Sequence, residues 1–171
     1  MDTAGLLRFR YELMDGILLR KPPRYLREAG IVSNVLFWFG QHLGWESILP
    51  GCGLFVAPDE SDLTCPVPDI TILNKPGRTI PGNYPRPEDI RLVVEVSDTT
   101  LDYDLKTKAG VYMRAGIAQY FVIDVNGRVV YEHILNPATG GYDRETRNPG
   151  DALTLLAAPH LPLTVDDWLL P

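Results

Sequence analysis

The first part of the chain changes from a strand pattern of hydrophobic positions to a helical one. Residues 9–19 predict two short strands joined at Asp15-Gly16, because Asp-Gly is a strong signal for a tight hairpin turn. From about Arg24 to Leu43 the apolar residues recur every three or four positions, as in an amphipathic helix, and Gly44 is a typical helix end. The residues expected on its buried face are Leu26, Val32, Val35, Leu36, Phe39 and Leu43.

The rest of the chain predicts strands and turns around a second helix. Residues 91–97 have the most regular strand pattern, and residues 119–125 are apolar almost throughout, which indicates a strand buried on both faces. A helix is expected from Tyr103 to Ala115, ending at Gly116. The other expected elements are extended segments at 53–56 and 68–73, a surface loop at 75–87, a strand at 128–133 and a short terminal helix at 165–170.

This order of elements predicts an α/β fold of the mixed α+β kind, in which helices flank a mixed sheet. A length of 171 residues suits one domain, 1–171, and 45% hydrophobic with 22% charged residues is a globular composition. No apolar run reaches the ~20 residues that cross a bilayer, and residues 1–5 lack a signal-peptide pattern. Cys52 and Cys65 form no metal-binding motif, so we expect a reduced, cytoplasmic protein without membrane contact.

The net charge of −6 narrows the function classes. Proteins that bind nucleic acid without specificity are usually basic, because neutralising phosphates dominates their affinity. The acidic balance therefore argues against a polybasic binder, but it is compatible with a metal-dependent enzyme. Basic residues near the amino terminus form either a solvated surface or a phosphate-contacting patch, and they are Arg8, Arg10, Arg20, Lys21, Arg24 and Arg27.

Two acids stand out because they lie in apolar strand segments. Glu95 lies between Val94 and Val96, and Asp69 begins the segment 68–73. If the two strands are neighbours, their carboxylates meet at one end of the sheet and supply the oxygen ligands that Mg²⁺ or Mn²⁺ requires. The alternatives are that Asp69 is a turn acceptor and that Glu95 pairs with an arginine, Arg91 or Arg114.

The second helix adds a candidate cation. Asp104, Lys108 and Tyr112 are spaced four residues apart and therefore share one helical face. A lysine beside a metal ion and two carboxylates could orient a water nucleophile or offset charge on a phosphate. The alternative is an exposed Asp104–Lys108 pair that contributes only a few tenths of a kcal/mol.

The chain resembles the Uma-type endonucleases, a family of the restriction-endonuclease-like PD-(D/E)XK superfamily. The resemblance covers nearly the whole chain, and it rests on an ordered set of short motifs. These are Tyr11-Glu12-Leu13-Met14-Asp15-Gly16, Pro68-Asp69, Leu92-Val93-Val94-Glu95-Val96-Ser97, Asp104 with Lys108, residues 112–124, Gly150-Asp151-Ala152-Leu153 and Leu161-Pro162-Leu163.

The resemblance implies that Asp69, Glu95 and the Val96 carbonyl hold a Mg²⁺ or Mn²⁺ ion. The superfamily has lysine two positions after the glutamate, where this chain has Ser97. The Uma-type pattern has a lysine in the following helix instead, and Lys108 matches it, with Lys106 as the second choice. Three further acids are weaker candidates: Glu12 and Asp15, for which we favour a turn-forming role, and Glu28, where the family often has histidine.

Other conspicuous residues point to no different chemistry. The three histidines, His42, His133 and His160, lack the spacing of a zinc site. Phe37 and Trp38 widen the apolar surface of the first helix, which indicates core packing by default and a homodimer contact as the alternative.

The leading hypothesis is a metal-dependent endonuclease that hydrolyses DNA, with Asp69, Glu95 and Lys108 as its catalytic residues. The main alternative is a catalytically inactive nuclease-fold module that binds nucleic acid or protein, and a third is a structural oligomer with a vestigial acidic pocket. Because the protein is acidic, we expect DNA binding to be weak and to depend strongly on metal and salt.

Overall fold

A computed structural model describes residues 10–56 and 63–169 of the protein. It begins with an antiparallel hairpin of β1 (Arg10–Met14) and β2 (Ile17–Lys21). The turn residues Asp15 and Gly16 have φ angles of 50° and 79°, the left-handed conformation that a two-residue hairpin turn needs. The predicted hairpin is therefore confirmed, except that Phe9 and the basic residue Arg8 lie outside the described residues.

Helix α1 (Leu26–Leu43) follows and ends at Gly44, as predicted. It packs through Ile31, Val32, Val35, Trp38 and Phe39, which are all buried. The prediction that Leu26 lies on the buried face is wrong, since its side chain is 90% exposed. Leu26 is the first residue of the helix, and the buried contacts begin only at Ile31, more than a turn later.

The two adjacent aromatic residues of α1 have different environments. Trp38 belongs to the core, where it packs against Phe39 and stacks on His42. Phe37 is 56% exposed, so the predicted homodimer contact would depend on this ring and not on Trp38. It remains a prediction.

The central sheet has six strands in the order β3-β4-β5-β6-β7-β8. Only β5 and β6 pair in parallel and the other neighbours are antiparallel, so the sheet is mixed, as predicted. The strands are β3 (Ile48–Pro50), β4 (Ile70–Leu73), β5 (Ile90–Ser97), β6 (Gln119–Asp124), β7 (Val129–Leu135) and β8 (Tyr142–Arg147).

Two predicted elements differ from the structure, and two of its strands were not predicted. Residues 53–56 form no strand, because their backbone bonds join Leu54 to Pro66 and Phe55 to Pro85 singly and build no ladder. The edge strands β3 and β8 were not predicted: β3 has three residues, and β8 is mostly charged and exposed. The terminal helix is a single 3₁₀ turn, Val165–Asp167, and Leu170 lies outside the described residues.

Helix α2 (101–114) connects the parallel strands β5 and β6. It consists of an α-helical turn (Leu101–Tyr103), a π-helical segment (Asp104–Lys108) and an α-helical end (Ala109–Arg114). The predicted helix is confirmed, but its π-helical part was not foreseen. Such segments are rare and are often found at functional sites.

Strand β5 separates two hydrophobic clusters. Leu92, Val94 and Val96 pack in the cluster that contains α1, whereas Val93 packs in the cluster that contains α2. Side chains alternate along a strand, so Glu95 lies on the same face as Val93, toward α2. None of the helices in the described ranges is long and apolar enough to cross a membrane.

His133 on β7 gives a pH prediction. Its ring is buried against Tyr120 and Tyr142, and burial lowers the pKa of His133 from 6.5 to about 4. Between these values the unfolded state binds the proton and the folded state does not. The His133 ring should therefore by itself lower the stability by roughly 3 kcal/mol as the pH drops from 6.5 to about 4.

Urea denaturation across this range measures the effect. Across this range the wild type should lose this amount of stability relative to His133→Gln, which lacks the titrating ring, while His160→Gln, a change at an exposed histidine, should follow the wild type. A pH dependence in His133→Gln equal to that of the wild type would contradict the assignment.

Candidate functional site

Asp69 and Glu95 meet at the junction of β4 and β5. Ile70 pairs with Val94, which places Asp69 beside the end of β5. The Val96 amide donates a hydrogen bond of 2.9 Å to Asp69 Oδ2, so Asp69 joins the two strands and is not a turn acceptor. Both side chains are almost fully buried, with exposed fractions of 4% for Asp69 and 2% for Glu95.

One ammonium group lies close to both acids. Lys21 Nζ, at the end of β2, is 3.7 Å from Asp69 Oδ1 and 3.8 Å from Glu95 Oε2. It donates a 2.6 Å hydrogen bond to the Val67 carbonyl. Arg24 forms a short ion pair with Asp69 and lies 3.4 Å from Glu28 Oε1. The two carboxylates therefore converge on a single cationic position.

Lys108 lies at the centre of a second group of acids. Its Nζ is 2.7 Å from Glu95 Oε1, 3.1 Å from Glu12 Oε2 and 3.7 Å from Asp104 Oδ1. The lysine side chain is only 2% exposed, so the alternative of an exposed Asp104–Lys108 pair is wrong. Burial by itself would lower the pKa of Lys108, but Glu95, Asp104 and Glu12 outweigh it and raise the pKa. Lys108 is therefore an ammonium that donates hydrogen bonds and is unsuited to accept a proton.

The π-helical segment and β5 hold these groups in place. Asp104 accepts hydrogen bonds from Ser97 Oγ at 2.7 Å and from Thr100 Oγ1 at 2.6 Å. The Tyr112 hydroxyl donates to Glu95 Oε1 at 3.1 Å. Ser97, which stands at the superfamily lysine position, thus orients Asp104, and Lys108 supplies the positive charge from the helix.

The two acids have opposite pKa shifts. Burial is the largest influence on Glu95 and raises its pKa to about 7, because Lys108 and Lys21 only partly offset it. Burial also acts to raise the pKa of Asp69, but there Lys21 and Arg24 outweigh it and lower the pKa. Asp69 is therefore ionised at neutral pH, whereas Glu95 exchanges a proton near neutrality.

The structure brings together Asp69, Glu95, Val96 and Lys108, the four residues of the sequence-based site. The expected arginine partners of Glu95 are replaced by Lys21 and Lys108. Lys106, the second choice for the lysine, is exposed and pairs with Asp102 at 2.6 Å, away from the acids. A role for it in the site is not supported by this position.

Glu12 was misjudged as turn-forming. It lies in the middle of β1, is buried, and contacts Lys108 and the Val67 amide. Asp15 does lie in the turn, and Glu28 lies beside Arg24 with its pKa raised by burial.

Sequence reasoning missed Lys21, Arg24 and Tyr112 as members of the site. The sequence contains one pattern that points to Lys21. Glu12 lies between the apolar residues Tyr11 and Leu13, just as Glu95 lies between Val94 and Val96, so Glu12 could have been expected to be a buried acid. The hairpin register then places Lys21 opposite Arg10, two residues from Glu12 and on the same face.

Asp69, Glu95, Glu12, Lys21 and Lys108 line a cavity of about 330 Å³ that is open to solvent. Its walls come from the hairpin, from residues 98–100 and from α2. Within the ranges that the structure describes, no three His, Cys, Asp or Glu side chains form a cluster that could hold a metal ion. Asp69 and Glu95 direct one oxygen each to a common position, and two carboxylates are a donor set suited to an ion that keeps several of its waters, as Mg²⁺ does.

Comparison with solved structures shows the fold. The chain is similar to a protein described as "a putative nuclease belonging to DUF820" from Anabaena variabilis ATCC 29413, with a TM-score of 0.73 and 14% sequence identity. The match covers 95% of this chain and 93% of the other. No curated protein matches the chain.

Comparison with models of protein families shows the family to which the chain belongs. The family model of Uma2, described as "Putative restriction endonuclease", matches residues 7–166, which is almost the entire chain. This match agrees with the mixed sheet, and it indicates a nuclease-like function. The protein therefore belongs to the Uma2 family of restriction-endonuclease-like proteins.

Proposed function

We propose that the protein is a Mg²⁺- or Mn²⁺-dependent endonuclease that hydrolyses phosphodiester bonds of DNA. The observation that carries the proposal is the convergence of Asp69 Oδ1 and Glu95 Oε2 on one position at the cavity wall, each within 4 Å of the same ammonium. Two carboxylates that face one point in a cavity favour a divalent cation there.

Asp69, Glu95 and the Val96 carbonyl would hold the ion. When bound, the ion would polarise a phosphoryl oxygen and lower the pKa of a coordinated water. The protein's own residues prepare this site: the Val96 amide fixes Asp69, and Lys108 with Tyr112 fixes Glu95. Rigid support of this kind keeps both carboxylates aimed at one position.

Positive charge on the cavity wall favours a phosphate-bearing substrate. Arg10, Arg20 and Lys21 line the cavity, and Arg24 lies beside Asp69. These residues belong to the predicted basic patch and provide contacts to phosphate oxygens, which position a DNA strand without reading its sequence. The overall acidity of the chain thus coexists with a locally basic wall.

The inactive nuclease-fold module remains the second candidate. It is favoured by Lys21 and Arg24, which already neutralise the acids that a metal would need. The two functions differ in whether the acids bind an ion.

Calorimetric titration with Mn²⁺ separates these candidates. The endonuclease proposal expects saturable binding that the double variant Asp69→Asn/Glu95→Gln loses, together with Mn²⁺-dependent nicking of supercoiled DNA. Asp102→Asn, which changes an exposed acid of α2, is the matched control and should bind Mn²⁺ like the wild type. Absence of Mn²⁺ binding by the wild type would favour the module.

A further inference from the structure

Lys21 occupies an unusual position for a lysine at the end of a strand. Its side chain is 12% exposed, and its ammonium lies between the two proposed metal ligands, 3.7 Å from Asp69 and 3.8 Å from Glu95. Its close hydrogen bond, of 2.6 Å, goes to the Val67 carbonyl and not to either acid. Lys21 therefore neutralises the pair of acids without being tightly bound to them.

Lys21 lies near one oxygen of each acid, Glu95 Oε2 and the Asp69 Oδ1 atom that also pairs with Arg24. The Val96 amide donates a hydrogen bond to Asp69 Oδ2, while Lys21 and Arg24 both lie at Oδ1. Lys108 and Tyr112 donate hydrogen bonds to Glu95 Oε1, while Lys21 lies near Oε2. The two oxygens that can serve a further cation are thus the two that Lys21 contacts.

We propose that Lys21 is an internal counter-ion that competes with the divalent cation for Asp69 and Glu95. This inference rests on the proposed metal site. A divalent ion held by Asp69 Oδ1 and Glu95 Oε2 lies within a few ångströms of the ammonium, and like charges at that distance repel strongly inside a protein. Metal uptake therefore requires the Lys21 ammonium to move away from the two acids. Because Lys21 lines the cavity, its ammonium can move into the solvent there.

Lys108 and Arg24 do not perform the same task. Lys108 is enclosed by three acids at the other oxygen of Glu95, so it stays in place when an ion binds. Arg24 pairs with Asp69 Oδ1 and with Glu28, so it competes with the ion at one of the two ligands and has a second acid to pair with when the ion binds. Lys21 is the cation that contacts both ligands at once, and it therefore sets the affinity of the site.

The test is Mn²⁺ binding by isothermal titration calorimetry, which needs no DNA. Lys21→Met keeps the length of the side chain and removes its charge, and it should bind Mn²⁺ roughly tenfold or more tightly than the wild type. Lys106→Met is the matched control, because Lys106 is exposed and paired with Asp102, and it should leave the affinity unchanged. Equal or weaker Mn²⁺ binding by Lys21→Met overturns the competition.

Thermal unfolding with and without Mn²⁺ provides the second measurement. Without metal, Lys21→Met and Lys21→Gln should have a lower Tm than the wild type, since the acids lose a counter-ion. Mn²⁺ should raise the Tm of both variants more than that of the wild type, because tighter binding to the folded state stabilises it more.

Other outcomes are equally decisive. If neither variant folds even with Mn²⁺ present, the ion does not substitute for the ammonium and the competition is overturned. If the wild type and both variants fail to bind Mn²⁺, the proposed metal site fails together with this inference. If wild type and variants bind Mn²⁺ alike, the competition alone fails and the metal site stands.

Discussion

Mn²⁺-dependent nicking of supercoiled DNA is expected to fall by about 100-fold or more in Asp69→Asn and in Glu95→Gln. Each change keeps the size of the side chain and removes the negative charge that holds the ion, and loss of one electrostatic contact to a reacting group typically costs 10²–10³ in rate. Asp69→Asn keeps an oxygen that can accept the Val96 amide bond, so the junction of β4 and β5 should remain intact.

A plasmid-nicking assay at several Mn²⁺ concentrations measures the effect, and circular dichroism checks the fold of each variant. Asp102→Asn removes an exposed carboxylate of α2, so it should nick DNA at the wild-type rate. Wild-type nicking by folded Asp69→Asn and Glu95→Gln would exclude these acids from the reaction.

Replacing Lys108 by methionine should lower the free energy of unfolding by about 3–5 kcal/mol. The lysine is buried among Glu95, Glu12 and Asp104, and its removal leaves these buried carboxylates without their shared counter-ion. Uncompensated buried charge is among the most destabilising changes known for single substitutions.

Urea denaturation at pH 8 measures the loss, and two further variants test its cause. Lys106→Met changes an exposed lysine of the same helix, whose pair with Asp102 is worth only about 0.2–0.5 kcal/mol. Adding Glu12→Gln to Lys108→Met should restore part of the stability, because one buried charge is then removed. If Lys108→Met were as stable as Lys106→Met, the buried ion-pair network would not contribute to folding.

The site has serine at the superfamily lysine position and takes its positive charge from elsewhere. Ser97 carries no charge, and its hydroxyl donates to Asp104. A positive charge beside Glu95 comes from Lys108, which the π-helical segment of α2 places against it. Lys108 is almost fully buried, whereas Lys21 and Arg24 are more exposed, with 12% and 24% of their side chains accessible.

Local pattern was sufficient for most of the fold. Asp15-Gly16 fixed the hairpin turn, the strand pattern of residues 91–97 gave β5, and the apolar run 119–125 gave the buried β6. Leu26 and the edge strands β3 and β8 were not predictable from local pattern. What surrounds an element decides whether an end residue is buried, and short or charged edge strands gain their pairing from the sheet itself.

The sequence by itself determined that Glu95 lies on the same face of β5 as Val93, because side chains alternate along a strand. Which face of the sheet α2 covers was decided by the tertiary structure. The sequence also determined that Asp104, Lys108 and Tyr112 share one side of a helix. Only the tertiary structure decided that Glu12, Lys21 and Arg24 join them, since the hairpin and the start of α1 are brought to β5 by folding. Ion pairs between distant segments depend on distances of a few ångströms, and the order of residues along a chain does not specify these.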